Sequence, residues 1–563
     1  MYDLVIRNGT VIDGSGAPPF RADVAVTGGR IQTIGRIAER GVREIDAEGH
    51  VVTPGFIDPH THLDAQMFWD HVGANSCWHG VTTAVMGNCG FTIAPGSADQ
   101  AALLVRNLER AEDMSAAALS AGIDWSWRTY PEYLDALDRL PMGINYAPQV
   151  GHSAVRCHVM GERAFTDAAT EAELIEMERH VGEAIAAGAW GFTTSRTRNH
   201  LTPDGDPVAS RLGTREELHR LIDAASLSGG RMYQYVEDSP TDRPITEHQE
   251  DLFRLSARTG LAFVVPASGN PATVLPFLDR AEAAGATFVG VTHPRGISNW
   301  SSFRSRMPFD VVPEWAAIRS LPLEQQRAIL TDPVQRERLV QAALNYTYPS
   351  STGAEARPPD YDQMRVLSSP IPPWATVNEA AAARGLDPVS LIIELSLEAN
   401  FEQFFVQPLG RFDTEQVGQL LAHTSVVMGF SDSGAHVSQM ADASITTHML
   451  SYWVRERQAF PVEHAVRLMT SAPAQKWGFA DRGLVREGYI ADLNVIDLQT
   501  VMPTMPVMRA DLPAGAKRIE QRAVGYRATI VAGVPLIENG EHTGAHPGAL
   551  LRSCSAAATP TGR

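Results

Sequence analysis

The sequence predicts an α/β protein, an eight-fold (β/α) barrel with insertions that carries a small β domain assembled from both chain ends. Three observations predict it. Short apolar runs alternate with helical patterns through the middle of the 563 residues, the rhythm of parallel strands joined by crossover helices. Hairpin-like patterns stand at both termini. Residues able to ligate a metal fall just after apolar runs, and barrel chemistry gathers at the C-terminal ends of strands.

The elements follow in order. Leu4-Val5-Ile6-Arg7-Asn8-Gly9-Thr10-Val11-Ile12 reads as a strand, an Asn-Gly turn and a second strand. Val24 to Ile34 reads as another hairpin, turning at Gly28-Gly29. Asp492 to Asp497 and Ala528 to Ile537 repeat the pattern, so residues 1–54 and 480–540 are expected to share one β domain. Between them, residues 55–479 carry the barrel rhythm. Its apolar runs include Val81 to Met86, Leu261 to Val265, Thr287 to Val291 and Val426 to Phe430. Asp167 to Ala187 reads as a helix with Thr166 as N-cap, stopped by Gly188. The stretch 300–370 breaks the rhythm with Pro and polar residues and reads as an insertion or lid. Its Trp300, Phe303, Phe309 and Trp315 would either line an apolar pocket or pack the insertion. The small, polar tail 541–563 is expected to be flexible.

Composition narrows the function. A hydrophobic content of 44% with 20% charged residues is that of a soluble globular protein. A formal charge of −18 argues against nucleic acid or an anionic membrane as partner. Cys77, Cys89, Cys157 and Cys554 have no disulfide-framework spacing, which favours a reducing compartment. The start, Met1-Tyr2-Asp3-Leu4-Val5-Ile6, has no basic n-region, and no stretch has the length of a membrane span. A cytoplasmic protein acting on a small molecule is the expectation, with a homo-oligomer left open.

The sharpest motif is His60-Thr61-His62, which ends the apolar run beginning at Val51. On a strand, positions i and i+2 share a face, so two imidazoles can meet one ion. With 18 His in 563 residues, chance alone gives roughly 0.6 such pairs, so the strand context carries the reading and a surface or core pair competes with it. Gly87-Asn88-Cys89-Gly90 follows Val81 to Met86; a thiolate there could reach the same ion, against the usual fate of a buried structural cysteine. Asp432, just past Val426 to Phe430, could be ligand, general base or both, or merely open a turn. His152 and the segment from Ser195 through Arg196 and Arg198 to His200 suit substrate contacts, although surface loops carry such residues routinely. Among the arginines that could grip a carboxylate, Arg196 and Arg198 follow a strand-like run. Arg295, Arg304 and Arg306 are alternatives.

These motifs, together with the closing Asp481-Arg482-Gly483-Leu484-Val485-Arg486-Glu487-Gly488-Tyr489-Ile490-Ala491-Asp492-Leu493, resemble the amidohydrolase superfamily. Within it they look like the N-acyl-D-amino-acid deacylase group, to which the Asn-Cys-Gly turn points. The resemblance spans nearly the whole chain. It implies a distorted (β/α)8 TIM-like barrel with a small β-sandwich domain built from both termini, and hydrolysis of an amide bond of N-acyl amino acids by metal-activated water. It implies a divalent metal, zinc first, as one or two ions held by His60, His62, Cys89 and Asp432; Asp432 is also read as catalytic, and His152, Ser195 and Arg196, from their strand-end positions, as substrate contacts. Two departures stand out. The family pattern has a His at the ends of the fifth and sixth strands, where this chain reads Tyr233-Gln234-Tyr235-Val236-Glu237 and Val264-Val265-Pro266-Ala267-Ser268-Gly269. Neither of the two lysines, Lys476 and Lys517, follows a barrel strand, so a bridging carbamylated lysine is not expected. One ion is then the economical reading. The rivals are a cyclic-amide hydrolase and a non-catalytic barrel that binds a ligand.

Overall fold

Eight short parallel strands frame the middle of the chain. In the computed structural model, which describes residues 1–349, 357–410 and 413–553, they are Phe56–Asp58, Val81–Met86, Asn145–Pro148 running on into Val150–Gly151, Gly191–Arg196, Met232–Glu237, Ala262–Pro266, Phe288–Thr292 and Val426–Met428. All six residues of Val81–Met86 are buried, as both faces of a barrel strand are covered. The strands pair in two parallel ladders that share the third strand. The remaining seam is closed at the barrel mouth, where the Asp432 N–H donates to His60 O at 3.3 Å and the His62 N–H donates to Ser433 O at 2.7 Å. The first and eighth strands are three residues long, and the barrel is distorted there.

Crossover helices cover the outside. The helix expected from Asp167 begins instead at Glu171, because Thr170 and Glu173 form a reciprocal capping box and Asp167 is held by Arg163 at 2.9 Å. Gly188, at φ +122°, ends it as expected.

Strands from both ends of the chain make one nine-stranded sheet. The ends meet where Leu493 lies opposite Pro54 and Ile496 opposite Val51. Leu4, Ile6, Val24, Val26, Ile45, Val52, Leu493, Val495 and Ile530 bury one face of it in a core of their own. The hairpin at Gly28-Gly29 forms, with both glycines at positive φ. The turn expected at Asn8-Gly9 does not. Tyr2–Val11 is one strand, and Asn8 (φ 57°) sits in a bulge, its N–H donating to Asp23 Oδ1 at 2.8 Å and its side-chain amide to Asp46 Oδ1 at 3.1 Å.

Between the seventh and eighth strands a separate layer runs from Ser298 to Pro408. Among the described residues, five α-helices and three short strands enclose Phe303, Phe309, Trp315, Leu330, Leu339, Ile392 and Phe401. Trp300 is buried in a neighbouring cluster. Trp300, Phe303, Phe309 and Trp315 therefore pack the layer instead of lining a pocket. The flexible tail expected from residue 541 is corrected as far as Ser553. Gly548 N–H donates to Met142 O, Tyr146 N–H to Ala549 O and Leu551 N–H to Tyr146 O, which ties the segment to the third barrel strand. Residues 554–563 lie outside the described residues. Among the described residues, no helix is long and apolar enough to cross a membrane.

Candidate metal centre

His60 and His62 leave the first strand at the barrel mouth with their rings 5.4 Å apart, and Phe430 stacks on His60 at 4.0 Å. Phe430 and Asp432 both have positive φ (72° and 50°), an uncommon backbone for these residues that turns the end of the eighth strand over the histidines. Gly434 makes room for the approach. At φ +98°, a Cβ there would stand 2.2 Å from His62 O.

Cys89 arrives from the second strand on a turn that is held from four sides. Its N–H donates to Gln234 Oε1 at 2.6 Å, Asn88 Nδ2 donates to Thr61 O at 3.0 Å, and the Gly90 N–H donates to Thr193 Oγ1 at 3.0 Å. The Gly87 N–H donates to Asp64 Oδ2 at 2.9 Å. Cys89 itself has φ 56°. Gly90, at φ +79°, lies so close to the fourth strand that a Cβ would stand 2.9 Å from Thr194 Cα. That is why the turn reads Asn-Cys-Gly.

Four side chains converge. His60 Nε2 is 3.5 Å from Cys89 Sγ and 3.3 Å from Asp432 Oδ1, and His62 Nε2 is 3.5 Å from the same oxygen. One donor atom each from His60, His62 and Cys89 lies within 4.8 Å of the others. Two ligands on one tetrahedral ion, at bonds of about 2.1 Å, stand roughly 3.4 Å apart, so these spacings fit a shared cation. The hydrogen-bond inventory agrees. Among the described residues, neither ring nitrogen of buried His62 has a hydrogen-bond partner, and neither does Asp432 Oδ1. The residues present therefore fit a divalent metal.

The electrostatics are those of a buried charge cluster. Burial alone would raise Asp432, but His60 and His62 hold its carboxyl far below the ordinary range, so it stays ionised. Burial disfavours charge on His62, yet Glu112 and Asp432 raise it well above its usual value. Burial pushes the Cys89 thiol up to about 12, so it ionises at neutral pH only beside a cation. Burial also lifts Asp58 and Asp64, behind the histidines, to about 7.

The expected substrate residues fare differently. His152 lies inside the protein. It is fully buried, its Nδ1 is 2.8 Å from Thr194 Oγ1, and its Nε2 is 2.7 Å from Glu217, which also pairs with buried Arg156 at 2.5 Å. Both nitrogens are thus spent inside the protein. Ser195 is buried as well, with Oγ 2.7 Å from His200 Nδ1. Arg196 is half-buried and donates to Gly213 O at 2.6 Å. The other candidate arginines are ion-paired: Arg198 with Asp238, Arg295 with Asp442, Arg304 with Glu402 and Arg306 with Asp113.

Sequence reading missed Glu112. It follows the helix Ala101–Glu109, far from any barrel strand, yet its Oε2 is 3.6 Å from His62 Nε2 and 3.6 Å from His436 Nε2. No spacing signal marks it. His436 stands four residues beyond Asp432 and was given no role from sequence.

A family model described as the amidohydrolase family matches residues 43–286 and 332–537. The D-aminoacylase of Alcaligenes xylosoxydans xylosoxydans is 28% identical over 99% of this chain and 98% of its own. A crystal structure of D-aminoacylase superposes with a TM-score of 0.65 at 25% identity, covering 98% of this chain and all of the other. The N-acyl-D-glutamate deacylase of Bordetella bronchiseptica, solved with zinc and a phosphonate mimic of the tetrahedral intermediate, gives 0.64 at 26% identity, with the same coverage. A match that spans both halves of the barrel and reaches into the terminal sheet leaves one conclusion, that the chain belongs to the amidohydrolase family of metal-dependent hydrolases acting on carbon–nitrogen bonds.

Proposed function

We propose that the protein hydrolyses the amide bond of N-acyl amino acids, the D enantiomers first, with zinc held by His60, His62, Cys89 and Asp432. The observation that carries this reading is the convergence of those four side chains at ligand spacing in the barrel mouth. When bound, a divalent ion supplies a nucleophile from water near neutral pH and polarises the amide carbonyl.

The chain's own residues do the rest. Phe430 and the buried walls around His60 and His62 keep bulk water from the imidazoles. Asp432, ionised at neutral pH, takes a proton from the attacking water through a carboxylate oxygen. It returns that proton to the nitrogen as the C–N bond breaks, so a carboxylic acid and an amine leave. The carboxylate of an N-acyl amino acid needs a local cation in a chain of charge −18. Arg196 suits that role, since its hydrogen bond to Gly213 O leaves further N–H donors of the fork, whereas the other four arginines are neutralised by carboxylates. The enantiomer and the metal follow the named activities of the relatives. The three described cysteines, Cys77, Cys89 and Cys157, are free thiols, which supports a cytoplasmic setting.

The test is a substrate panel on zinc-loaded protein: N-acyl-D- and N-acyl-L-amino acids, neutral amides and cyclic imides. Turnover of N-acyl-D-amino acids is expected to lead, with Arg196→Ala raising KM for them. Preference for cyclic imides or neutral amides, with Arg196→Ala harmless, would replace this substrate class.

A further inference from the structure

Ser195, at the end of the fourth strand, fixes the state of His200. The serine is fully buried, its Oγ is 2.7 Å from His200 Nδ1, and among the described residues that hydroxyl has no other partner. A buried hydroxyl proton needs an acceptor, so the O–H donates to Nδ1. The ring proton then sits on Nε2. Nε2 itself has no hydrogen-bond partner among the described residues. It is not one of the enclosed polar atoms either, so a molecule in the mouth can reach it.

The ring stands beside the metal centre. Phe91, two residues past Cys89, packs against it with the ring centroids 5.1 Å apart. Gly90, between them, closes on Thr194 at the same strand end. Burial first, and then the charges of His436 and His62, hold His200 down at about 3 against the pull of Asp432, so the ring is neutral at working pH. Its loop is braced as well. The His200 N–H donates to Thr197 O at 3.3 Å, and its carbonyl accepts from Arg211 Nη1 at 3.0 Å. Beyond it Leu201 bridges to Pro207, and Arg106 pairs with Asp204 at 3.1 Å and Asp206 at 3.3 Å.

When water adds to an amide carbon, negative charge gathers on the carbonyl oxygen. A fixed N–H directed there stabilises that charge without having to reorganise, and an uncharged imidazole can serve. The rival donors are occupied: His152 at both nitrogens, and Arg198, Arg295, Arg304 and Arg306 by carboxylates. We propose that His200 donates its Nε2–H to the scissile carbonyl oxygen as that oxygen becomes an oxyanion, with Ser195 as the positioning residue that selects the tautomer. The proton stays on nitrogen throughout, which leaves the proton transfers to Asp432. The proposal rests on the amide-hydrolase reading above.

Two measurements test it. In wild-type protein carrying 15N-labelled histidine, the signal that His200→Gln or His200→Ala removes should report a neutral ring protonated at Nε2 at pH 7, and Ser195→Ala should mix the two tautomers. A ring protonated at Nδ1, or at both nitrogens, overturns the proposal. The second measurement uses whichever amide or imide wild type hydrolyses best, and the phosphonate in which tetrahedral phosphorus replaces its scissile carbon. His200→Ala should lower kcat and phosphonate affinity together by about 10²–10³-fold, with KM within about twofold and zinc content unchanged. His200→Gln, whose amide still offers an N–H, should recover part of the loss. A rise in KM at unchanged kcat would make His200 a ground-state contact, and unchanged kcat and phosphonate affinity would make it a bystander; either overturns the proposal and leaves the hydrolase reading standing. Wild type that hydrolyses neither amides nor imides overturns both.

Discussion

At the residue scale, Asp432 has the most to lose. Asp432→Asn keeps its shape but cannot take a proton as a carboxylate does, so turnover of the folded, metal-loaded variant should fall by about 10²–10⁴-fold. Near-normal kcat in that variant would pass the base role to another group. Glu217 makes a different prediction. Burial acts to raise it, but His152 and Arg156 outweigh burial and hold it at about 2, against about 4.3 in an unfolded chain. A depressed carboxyl stabilises the fold at pH values above the unfolded pKa, and that stability is lost as pH falls towards the folded one. The contribution is roughly 3 kcal/mol. Denaturant unfolding should therefore show Glu217→Gln well below wild type at pH 7, with the gap closing between about pH 4 and 2. A gap independent of pH would refute the pairing. His60, His62, Cys89 and Asp432 were legible because each follows an apolar run. Glu112 was not, because its burial comes from tertiary packing around a loop with no periodicity.

At the scale of the element, the Asn-Cys-Gly turn gives a further prediction. Gly90→Ala adds a Cβ 2.9 Å from Thr194 Cα in a left-handed backbone, so the turn must withdraw from the fourth strand and take Cys89 with it. Zinc affinity should drop by at least about tenfold, while circular dichroism stays that of the wild type. Unchanged affinity would mean that the turn tolerates the shift and that Cys89 is not positioned by it. Elements were legible where local chemistry decides them, as at Gly28-Gly29. Asn8-Gly9 carries the same local signal, but Asp23 and Asp46 on adjoining strands capture Asn8 and convert a turn into a bulge. Likewise Thr166, the expected cap, gives way to Thr170, which has Glu173 three residues on to complete the capping box.

At the scale of the whole molecule, the two chain ends are joined to the barrel. Deleting residues 541–563 strips the third barrel strand of the hydrogen bonds from Gly548, Ala549 and Leu551, so the thermal midpoint should fall by a few degrees. An unchanged midpoint would show that the segment merely rests there. The polar composition of that segment hid its docking, because backbone groups make the contact and side-chain hydrophobicity does not announce it. The barrel seam carries a consequence for synthesis. The bonds that close it, Asp432 to His60 and His62 to Ser433, join the start of the barrel sequence to its end. A growing chain has both histidines and Cys89 outside the ribosome long before the eighth strand exists. The nascent protein must therefore keep three soft, exposed donors from premature capture until translation is nearly over, and closure of the barrel and completion of the site are then one late event.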